Sequence, residues 1–180
     1  MSQELSNVMA PALSLFRRLG HWILRETRAE GESACIFCQR NQPRLNQIMQ
    51  QNKTFYVRYD NFPATAGHVE VVPKRHVESF FDLTAREVKD AYSLILAARQ
   101  RLTDEHRPDG FTIGVNEGRA AGRTVDHLHI HLIPRRVGDV EDPRGGIRRA
   151  VPNCDPDLWT RKPEDESALK QLTEAHSSRH

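Results

Sequence analysis

The 180-residue sequence contains little cysteine, no strong excess of one charge and no long apolar run, and each shortage excludes a class of protein. Its three cysteines are an odd number and too few for the disulfide framework of a small secreted domain, so we expect a reducing, cytoplasmic environment. The 26 basic and 24 acidic residues leave a net charge of +2, which does not indicate a nucleic-acid-binding protein. No phosphate-cradling Gly-x-x-x-x-Gly-Lys loop and no dinucleotide fingerprint occurs in the sequence.

The most apolar N-terminal stretch, residues 8–24, does not predict a membrane span. Arg17, Arg18 and His21 interrupt it, whereas a span needs about 20 predominantly apolar residues. The stretch also lacks the basic start and the small-residue cleavage site of a secretory signal, so we expect neither a signal peptide nor a membrane partner. Apolar residues at helical spacing instead predict an N-terminal helical extension over residues 1–34. That helix would pack on the main domain, form a dimer contact or bind another surface.

The rest of the sequence predicts one α+β domain over residues 35–152, followed by a polar C-terminal tail over residues 153–180. Four short apolar segments bounded by turn residues predict strands of an antiparallel sheet: residues 55–59, 68–72, 111–115 and 125–133. Thr84, with Glu87 three residues later, forms a capping-box pattern at the start of one principal helix. The predicted apolar stripe of that helix comprises Val88, Ala91, Tyr92, Ile95, Ala98 and Leu102.

Three of the nine histidines alternate with apolar residues in the run from His127 to Ile133. On a strand, side chains alternate between the two faces, so the three imidazoles are expected on one side. The core would then receive Leu128, Ile130 and Leu132. A lone histidine is usually a packed structural residue, but three in alternation favour chemistry.

Two kinds of chemistry suit such a row. Neighbouring histidines of a strand could share one metal ion, but His127 and His131 would lie about 13 Å apart, so a three-histidine zinc site on this strand is geometrically poor. A central nucleophile with helpers on either side fits better. An imidazole can attack phosphorus and form a covalent intermediate, while a flanking histidine bonds the phosphoryl oxygens or protonates the leaving group.

The run His-Leu-His-Ile-His-Leu-Ile resembles the signature of the histidine triad (HIT) superfamily of nucleotide hydrolases and transferases. Other motifs fall where that family has them: Gly67-His68 before a strand, Pro73-Lys74-Arg75-His76, and Asn116-Glu117-Gly118 eleven residues before the first triad histidine. The resemblance covers about residues 35–152. It implies the HIT-like fold, a small-molecule nucleotide substrate and a homodimer, and it implies no catalytic metal.

The resemblance also implies roles for the last two triad histidines. The middle one, His129, would attack the α-phosphorus and form a nucleotidyl-histidine intermediate. His131 would contact the phosphoryl group and help the leaving group to depart. The implied activity is hydrolysis or transfer at the α-phosphorus of a nucleoside phosphate derivative, either a dinucleoside polyphosphate or a nucleoside phosphoramidate.

The substrate-binding residues are likewise carried over by the resemblance. Asp60 would bind the ribose hydroxyls, while Asn116 and Thr124 would touch the phosphate; taken singly, all three could equally be turn or loop residues. His68 matches a supporting histidine behind the triad. Arg123 departs from the family, which usually has glutamine there, and its guanidinium would either reach a substrate phosphate or face solvent. Further positive charge follows the triad at Arg135, Arg136, Arg144, Arg148 and Arg149.

The Cys-x-x-Cys pair, Cys35 and Cys38, has the spacing of a metal knuckle. By resemblance to the branch of the family that carries this pair, His76 and His127 would complete a structural zinc site. A closed Cys₂His₂ site would brace the strand beside the middle histidine. Two packed thiols and a redox pair remain the alternatives.

The sequence thus leaves three functional hypotheses. The first is a HIT-family nucleotide hydrolase, and the second is a nucleotide-binding sensor with vestigial catalysis. The third is a metallohydrolase that uses His129 and His131. The natural leaving group, the preferred base and the effect of Arg123 do not follow from the sequence.

Overall fold

The structure, a computed structural model, describes residues 35–151 and consists mainly of one antiparallel sheet and one long helix. The strands are β1 (Ile48–Gln51), β2 (Phe55–Tyr59), β3 (Val69–Pro73), β4 (Gly110–Gly114) and β5 (Ile130–Arg135), and the helix is α1 (Ala85–His106). Their order across the sheet is β1-β2-β3-β5-β4. This arrangement confirms the predicted α+β fold. The predicted N-terminal helix and the C-terminal tail lie outside the described residues.

The register of the strands shows which side chains share each face of the sheet. Each of the four strand pairs is antiparallel, and Arg58, Glu70 and His131 stand opposite one another on β2, β3 and β5. The face turned toward α1 carries the main core, which includes Phe55, Val57, Val69, Val71, Ile130 and Leu132. Because side chains alternate along each strand, Arg58, Glu70 and His131 share the opposite face with Tyr56 and Val72. The candidate site therefore lies on the face away from the helix.

Helix α1 begins at the predicted capping box. Thr84 accepts a hydrogen bond from the Glu87 N–H, and the Glu87 carboxylate accepts one from the Thr84 N–H. Ala91, Leu94, Ala98 and Leu102 form the buried face. Val88 and Tyr92 were predicted to lie in this stripe, but they are 41% and 62% exposed. Each follows a buried position by one residue, so a helical rotation of about 100° carries it away from the sheet.

The predicted strand over residues 125–133 is too long at its beginning. The ladder with β3 starts only at Ile130, so His127 and His129 precede the strand. The reason is that the backbone N–H of Leu128 donates to the Val77 carbonyl at 2.7 Å, which takes this segment out of the ladder. Leu128 is nevertheless buried, as expected.

The described residues divide into two compact units between Arg136 and Val137. Within the second unit, Gly146–Ala150 forms a short 3-10 helix. Asp142 pairs there with Arg144 at 3.0 Å and with Arg149 at 2.8 Å. Across residues 35–151, no helix has both the length and the apolar character needed to cross a bilayer.

Candidate active site and metal centre

Four side chains from three separate segments converge beside the histidine run. Cys35 and Cys38 lie on a turn, His76 follows β3, and His127 precedes β5. Their ligand atoms all lie within 4.8 Å of one another. Cys35 Sγ is 3.3 Å from His127 Nδ1, while Cys38 Sγ is 3.4 Å from His76 Nδ1 and 3.6 Å from His127 Nδ1. Neither cysteine forms a disulfide within the described residues.

This quartet fits a zinc ion. Tetrahedral zinc, with Zn–S bonds of about 2.3 Å and Zn–N bonds of about 2.0–2.1 Å, places sulfur and nitrogen ligands about 3.6 Å apart. The three sulfur–nitrogen distances agree with that value to within a few tenths of an ångström. The Asn46 side chain donates to the Ile36 carbonyl at 2.7 Å and to the Gln39 carbonyl at 3.1 Å, which supports the turn that carries the cysteines.

His127 has the tautomer that a metal ligand needs. Its Nε2 lies 3.0 Å from the Pro73 carbonyl oxygen. A carbonyl oxygen can only accept a hydrogen bond, so Nε2 carries the proton and donates it. The lone pair is therefore on Nδ1, the atom that faces the two sulfur atoms. Burial lowers the pKa of His127 to about 4, so the ring is neutral near pH 7.

His129 presents the opposite nitrogen. Its Nδ1–H donates to the carbonyl of His127 at 2.8 Å, which leaves the lone pair on Nε2. The residue is 7% exposed, and burial lowers its pKa below the ordinary value. His129 thus carries an oriented, neutral imidazole whose free nitrogen can act as a nucleophile.

His131 belongs to a hydrogen-bond chain that starts at the backbone. The Ala64 N–H donates to His68 Nδ1 at 3.2 Å, so the proton of His68 is on Nε2. That Nε2–H donates to His131 Nδ1 at 3.0 Å, which places the proton of His131 on Nε2. The Asp60 carboxylate lies 3.6 Å from His68 Nδ1 and 4.0 Å from His131 Nδ1.

The electrostatics of this chain keep both rings neutral. Burial is the largest cause that lowers the pKa of His68, and it lowers the pKa of His131 to about 4 together with the neighbouring rings of His129 and His68. The charge of Asp60 opposes both shifts. His131 can therefore donate a hydrogen bond from Nε2 at neutral pH, and its ring centroid lies 5.0 Å from that of His129.

The Arg123 guanidinium contacts Glu78 and Asp126 and is largely shielded from solvent. Its guanidinium donates to the Glu78 carbonyl at 3.1 Å and to the Glu78 carboxylate at 3.2 Å, and its Nε lies 3.4 Å from the Asp126 carboxylate. Its side chain is 14% exposed. Asn116 and Thr124 are exposed on the loop between β4 and β5, and within residues 35–151 neither side chain hydrogen-bonds a triad histidine.

Three residues near the triad histidines, Phe37, Arg58 and Glu70, were not predicted from the sequence as part of the site. The Phe37 ring, between the two cysteines, lies 5.6 Å from the His127 ring and 5.1 Å from the His129 ring. The Arg58 guanidinium lies 5.4 Å from the same Phe37 ring, and it pairs with the buried Glu70 carboxylate. A charged residue at an inward strand position is a detectable signal, but its partner depends on the register of the sheet.

The fold and the site together define a class of protein: an antiparallel α+β domain with one long helix and a triad of alternating histidines at the start of its fifth strand. The family model of the HIT domain matches residues 42–138, more than half of the sequence. The chain belongs to the HIT domain family.

Relatives and solved structures agree with this membership. A bis(5'-adenosyl)-triphosphatase of Dictyostelium discoideum is 28% identical over 138 residues, which cover 73% of this chain and 93% of that protein. The nitrilase and fragile histidine triad fusion protein NitFhit of Caenorhabditis elegans is 44% identical over 80 residues, but the match spans only 18% of its length. A crystal structure of a HIT family member from Bacillus subtilis has 28% identity and a TM-score of 0.56, covering 81% of this chain and 96% of that one.

Proposed function

We propose that the protein is a nucleotide hydrolase that cleaves at the α-phosphorus of a nucleoside phosphate derivative through a covalent nucleotidyl-His129 intermediate. The observation that carries the proposal is the free Nε2 lone pair of His129, fixed by the bond from Nδ1–H to the His127 carbonyl. The printed name of the Dictyostelium relative, a bis(5'-adenosyl)-triphosphatase, supports the same class of substrate.

In the proposed reaction, Nε2 of His129 forms a bond to the α-phosphorus as the bond to the leaving oxygen breaks. The leaving group takes the electron pair, and the imidazole becomes an imidazolium that keeps its Nδ1 proton. The Nε2–H of His131 donates a hydrogen bond to the phosphoryl group. His68 fixes the orientation of the His131 ring by donating to its Nδ1. Water then forms a bond to phosphorus as the phosphorus–nitrogen bond breaks; the electron pair returns to Nε2, which restores the neutral imidazole, and the water loses a proton to solvent.

The remaining predicted site residues are proposed to hold the substrate. Asp60 would accept hydrogen bonds from the ribose hydroxyls, which suits a carboxylate. Asn116 and Thr124 would contact the phosphate from their exposed loop. Arg123 would bind a phosphate only by exchanging its bonds to Glu78, so we expect its contribution to affinity to be smaller than that of an uncompensated arginine.

The leaving group is proposed to be a phosphate chain rather than an amine. An amine must be protonated to depart, whereas a polyphosphate leaves as a stable anion. His131 is neutral near pH 7 and its Nδ1 already accepts from His68, so it offers a hydrogen bond and no surplus proton. This argument favours a dinucleoside polyphosphate over a nucleoside phosphoramidate.

Zinc is proposed to bind Cys35, Cys38, His76 and His127 as a structural ion. Bound there, it would supply a cross-link between the cysteine turn and the histidine segment, and no reaction step requires it. Two measurements test this role: the zinc content of the purified protein, and its melting temperature before and after chelation. A metal-free protein whose stability does not respond to added zinc would contradict the assignment.

The activity is tested with diadenosine tetraphosphate and with an adenosine phosphoramidate. We expect His129→Ala to abolish turnover and to prevent trapping of a labelled adenylyl-protein adduct in a single turnover. His106→Ala, outside the site, is the matched control and should keep both. Full turnover by the His129 variant would refute the proposal. Binding without any adduct would indicate a nucleotide sensor, and loss of activity on chelation of a still-folded protein would indicate a metallohydrolase.

We also propose that the protein is a cytoplasmic homodimer. Its proposed parts are a helical extension over residues 1–34, the HIT domain over residues 35–152 and a polar tail over residues 153–180. The support for a dimer is the exposed apolar row Val88, Tyr92 and Leu96 on α1, together with Ile113, 49% exposed, on the edge strand β4. Sedimentation equilibrium tests it. Tyr92→Glu should shift a dimer toward monomer, and a monomeric wild-type protein would contradict it.

A further inference from the structure

A buried ion pair lies on the sheet face that carries the histidines. Arg58 and Glu70, on the neighbouring strands β2 and β3, stand directly opposite each other and are 2% and 5% exposed. The Arg58 guanidinium also donates to the Leu45 carbonyl at 2.8 Å, and its Nε has no hydrogen-bond partner within the described residues. Next to the pair on the same face, Tyr56 and Val72 stand opposite each other and are fully buried in a small hydrophobic cluster.

Stability does not explain this pair. Removing two charges from water costs more than their attraction returns in many proteins, and apolar residues of similar volume are often neutral or stabilising in such places. Aliphatic side chains would continue the apolar surface that Tyr56 and Val72 already form. The incompletely bonded Arg58 adds to the cost. The role of the buried pair must therefore follow from the groups that it faces.

Glu70 faces the reaction centre. In the sheet register it stands opposite His131, and one of its carboxylate oxygens, one ring nitrogen of His129 and one of His131 lie within 4.8 Å of one another. The Arg58 guanidinium donates to the Leu45 carbonyl and lies 5.4 Å from the centre of the Phe37 ring, and its charge lowers the pKa of His129, which the carboxylate has to offset. Of the two charged groups, the Glu70 carboxylate is the one with an atom within 4.8 Å of a nitrogen of each imidazole.

Formation of the covalent intermediate changes the charge of that centre. When Nε2 of His129 bonds to phosphorus and the leaving oxygen departs with the electron pair, Nδ1 keeps its proton, so the ring becomes a cation. A carboxylate a few ångströms away, in a poorly hydrated place, favours that cation more than it favours the neutral ring.

We propose that Glu70, held in place by Arg58, is a positioning residue that compensates the positive charge formed on His129 when the intermediate forms. The inference rests on the proposed function, because it concerns the step that makes the nucleotidyl-histidine. Glu70 does not touch the substrate in this scheme and acts through His129.

The test compares three variants under single-turnover conditions. Glu70→Gln removes the charge and keeps the shape, whereas Arg58→Leu combined with Glu70→Leu removes the pair and leaves no unpaired charge. Glu87→Gln is the control, because it weakens a different ion pair, with Arg75, at the start of α1. The rate of adduct formation per folded molecule is measured with diadenosine tetraphosphate and, separately, with the small phosphoryl donor phosphoramidate, whose nitrogen already carries the proton it needs to leave.

We expect the Glu70 single variant and the double variant to form the adduct at least tenfold more slowly, with an unchanged dissociation constant for AMP. The control should lose thermal stability and keep its rate. A double variant that forms the adduct at the wild-type rate would overturn the proposal, because it would show that only the unpaired Arg58 harmed the single variant. A double variant that does not fold would also overturn it, since the pair would then be a structural requirement.

A pH profile separates charge compensation from packing. The groups facing Glu70 are Arg58 on β2, Asp60 after β2, and His129 and His131 on or before β5. Burial raises the pKa of Glu70 to about 7 against the opposing attraction of Arg58. The wild-type rate should therefore fall as the pH drops through about 7, and this limb should vanish in Glu70→Gln. An identical limb in that variant would contradict the role.

The two probes keep this inference apart from the proposed function. A wild-type protein that is phosphorylated on His129 by phosphoramidate but never adenylylated would refute the nucleotide hydrolase, while the Glu70 comparison could still be made. A wild-type protein that reacts with neither probe would refute both.

Discussion

Replacement of Phe37 tests whether the cysteine turn positions the proposed nucleophile, His129. The Phe37 ring is 2% exposed and lies against the His127 ring, the His129 ring and the Arg58 guanidinium. Phe37→Leu keeps a buried apolar side chain at the same position. It removes the flat surface on which the His129 ring lies, so we expect that ring to move.

The expected loss of stability follows from these contacts. A hydrophobic exchange of similar size in a core costs up to about 1.5 kcal/mol. Each aromatic pair adds about 0.5–1.5 kcal/mol, and the cation–π contact adds about 0.5–2 kcal/mol. Because such terms are not fully additive, we expect Phe37→Leu to destabilise the fold by about 2–3 kcal/mol. At 2–4 °C for each kcal/mol, the melting temperature should fall by about 4–12 °C.

The matched control is Phe55→Leu. Phe55 is fully buried on the helix face of the sheet, in the main core and away from the histidines. Both variants lose the same atoms, but only Phe37→Leu should lose catalysis, because a misplacement of about 1 Å can cost about a hundredfold in rate. We expect kcat for diadenosine tetraphosphate to fall at least tenfold, with KM and zinc content unchanged. Equal kcat values for the two variants, each measured below its melting temperature, would refute this account.

Three further predictions concern other parts of the fold. The Arg75 guanidinium lowers the pKa of Glu87 from 4.5 to about 2, so the stability this carboxylate contributes is present above pH 4.5 and lost as the pH falls toward 2; urea unfolding of Glu87→Gln should show a flatter acid limb. Gly67→Ala should lower stability by more than about 1 kcal/mol in the same assay, because φ is +85° and the new methyl group would lie 2.6 Å from the ring of the histidine that ends α1. His68→Ala should lower kcat about tenfold at constant KM, because the third triad histidine loses the donor that fixes its tautomer; an unchanged kcat would contradict this.

Sequence signals close together in the chain predict helix α1, but they do not determine which of its faces is buried. The capping box at Thr84 depends on residues three positions apart, and both of its hydrogen bonds form. The choice between Leu94 and Tyr92 for the buried face depends on where the sheet lies, which no local pattern contains. Strand β1, Ile48–Gln51, was not predicted, because its two glutamines give an edge strand little apolar signal.

The role of Arg123 shows the same limit within the site. Its position in a family motif suggests a phosphate contact, but its side chain is bonded to Glu78, a residue 45 positions earlier in the chain. Likewise, Arg58 and Glu70 are recognisable as charges at inward strand positions, while their pairing follows only from the register between β2 and β3. Motifs therefore locate residue types, and long-range pairing decides what each side chain faces.

The three triad histidines extend this point to chemistry. All three are the same type of residue, and they differ in the hydrogen-bond partner of one ring nitrogen. The Pro73 carbonyl leaves the lone pair of His127 on Nδ1, which faces the two cysteine sulfur atoms, and the His127 carbonyl leaves the lone pair of His129 on Nε2. The chain from the Ala64 N–H makes the third ring a donor. Because backbone groups begin or end each of these connections, the different proton positions on the three rings are a property of the fold, and the spacing of the histidines alone could not predict them.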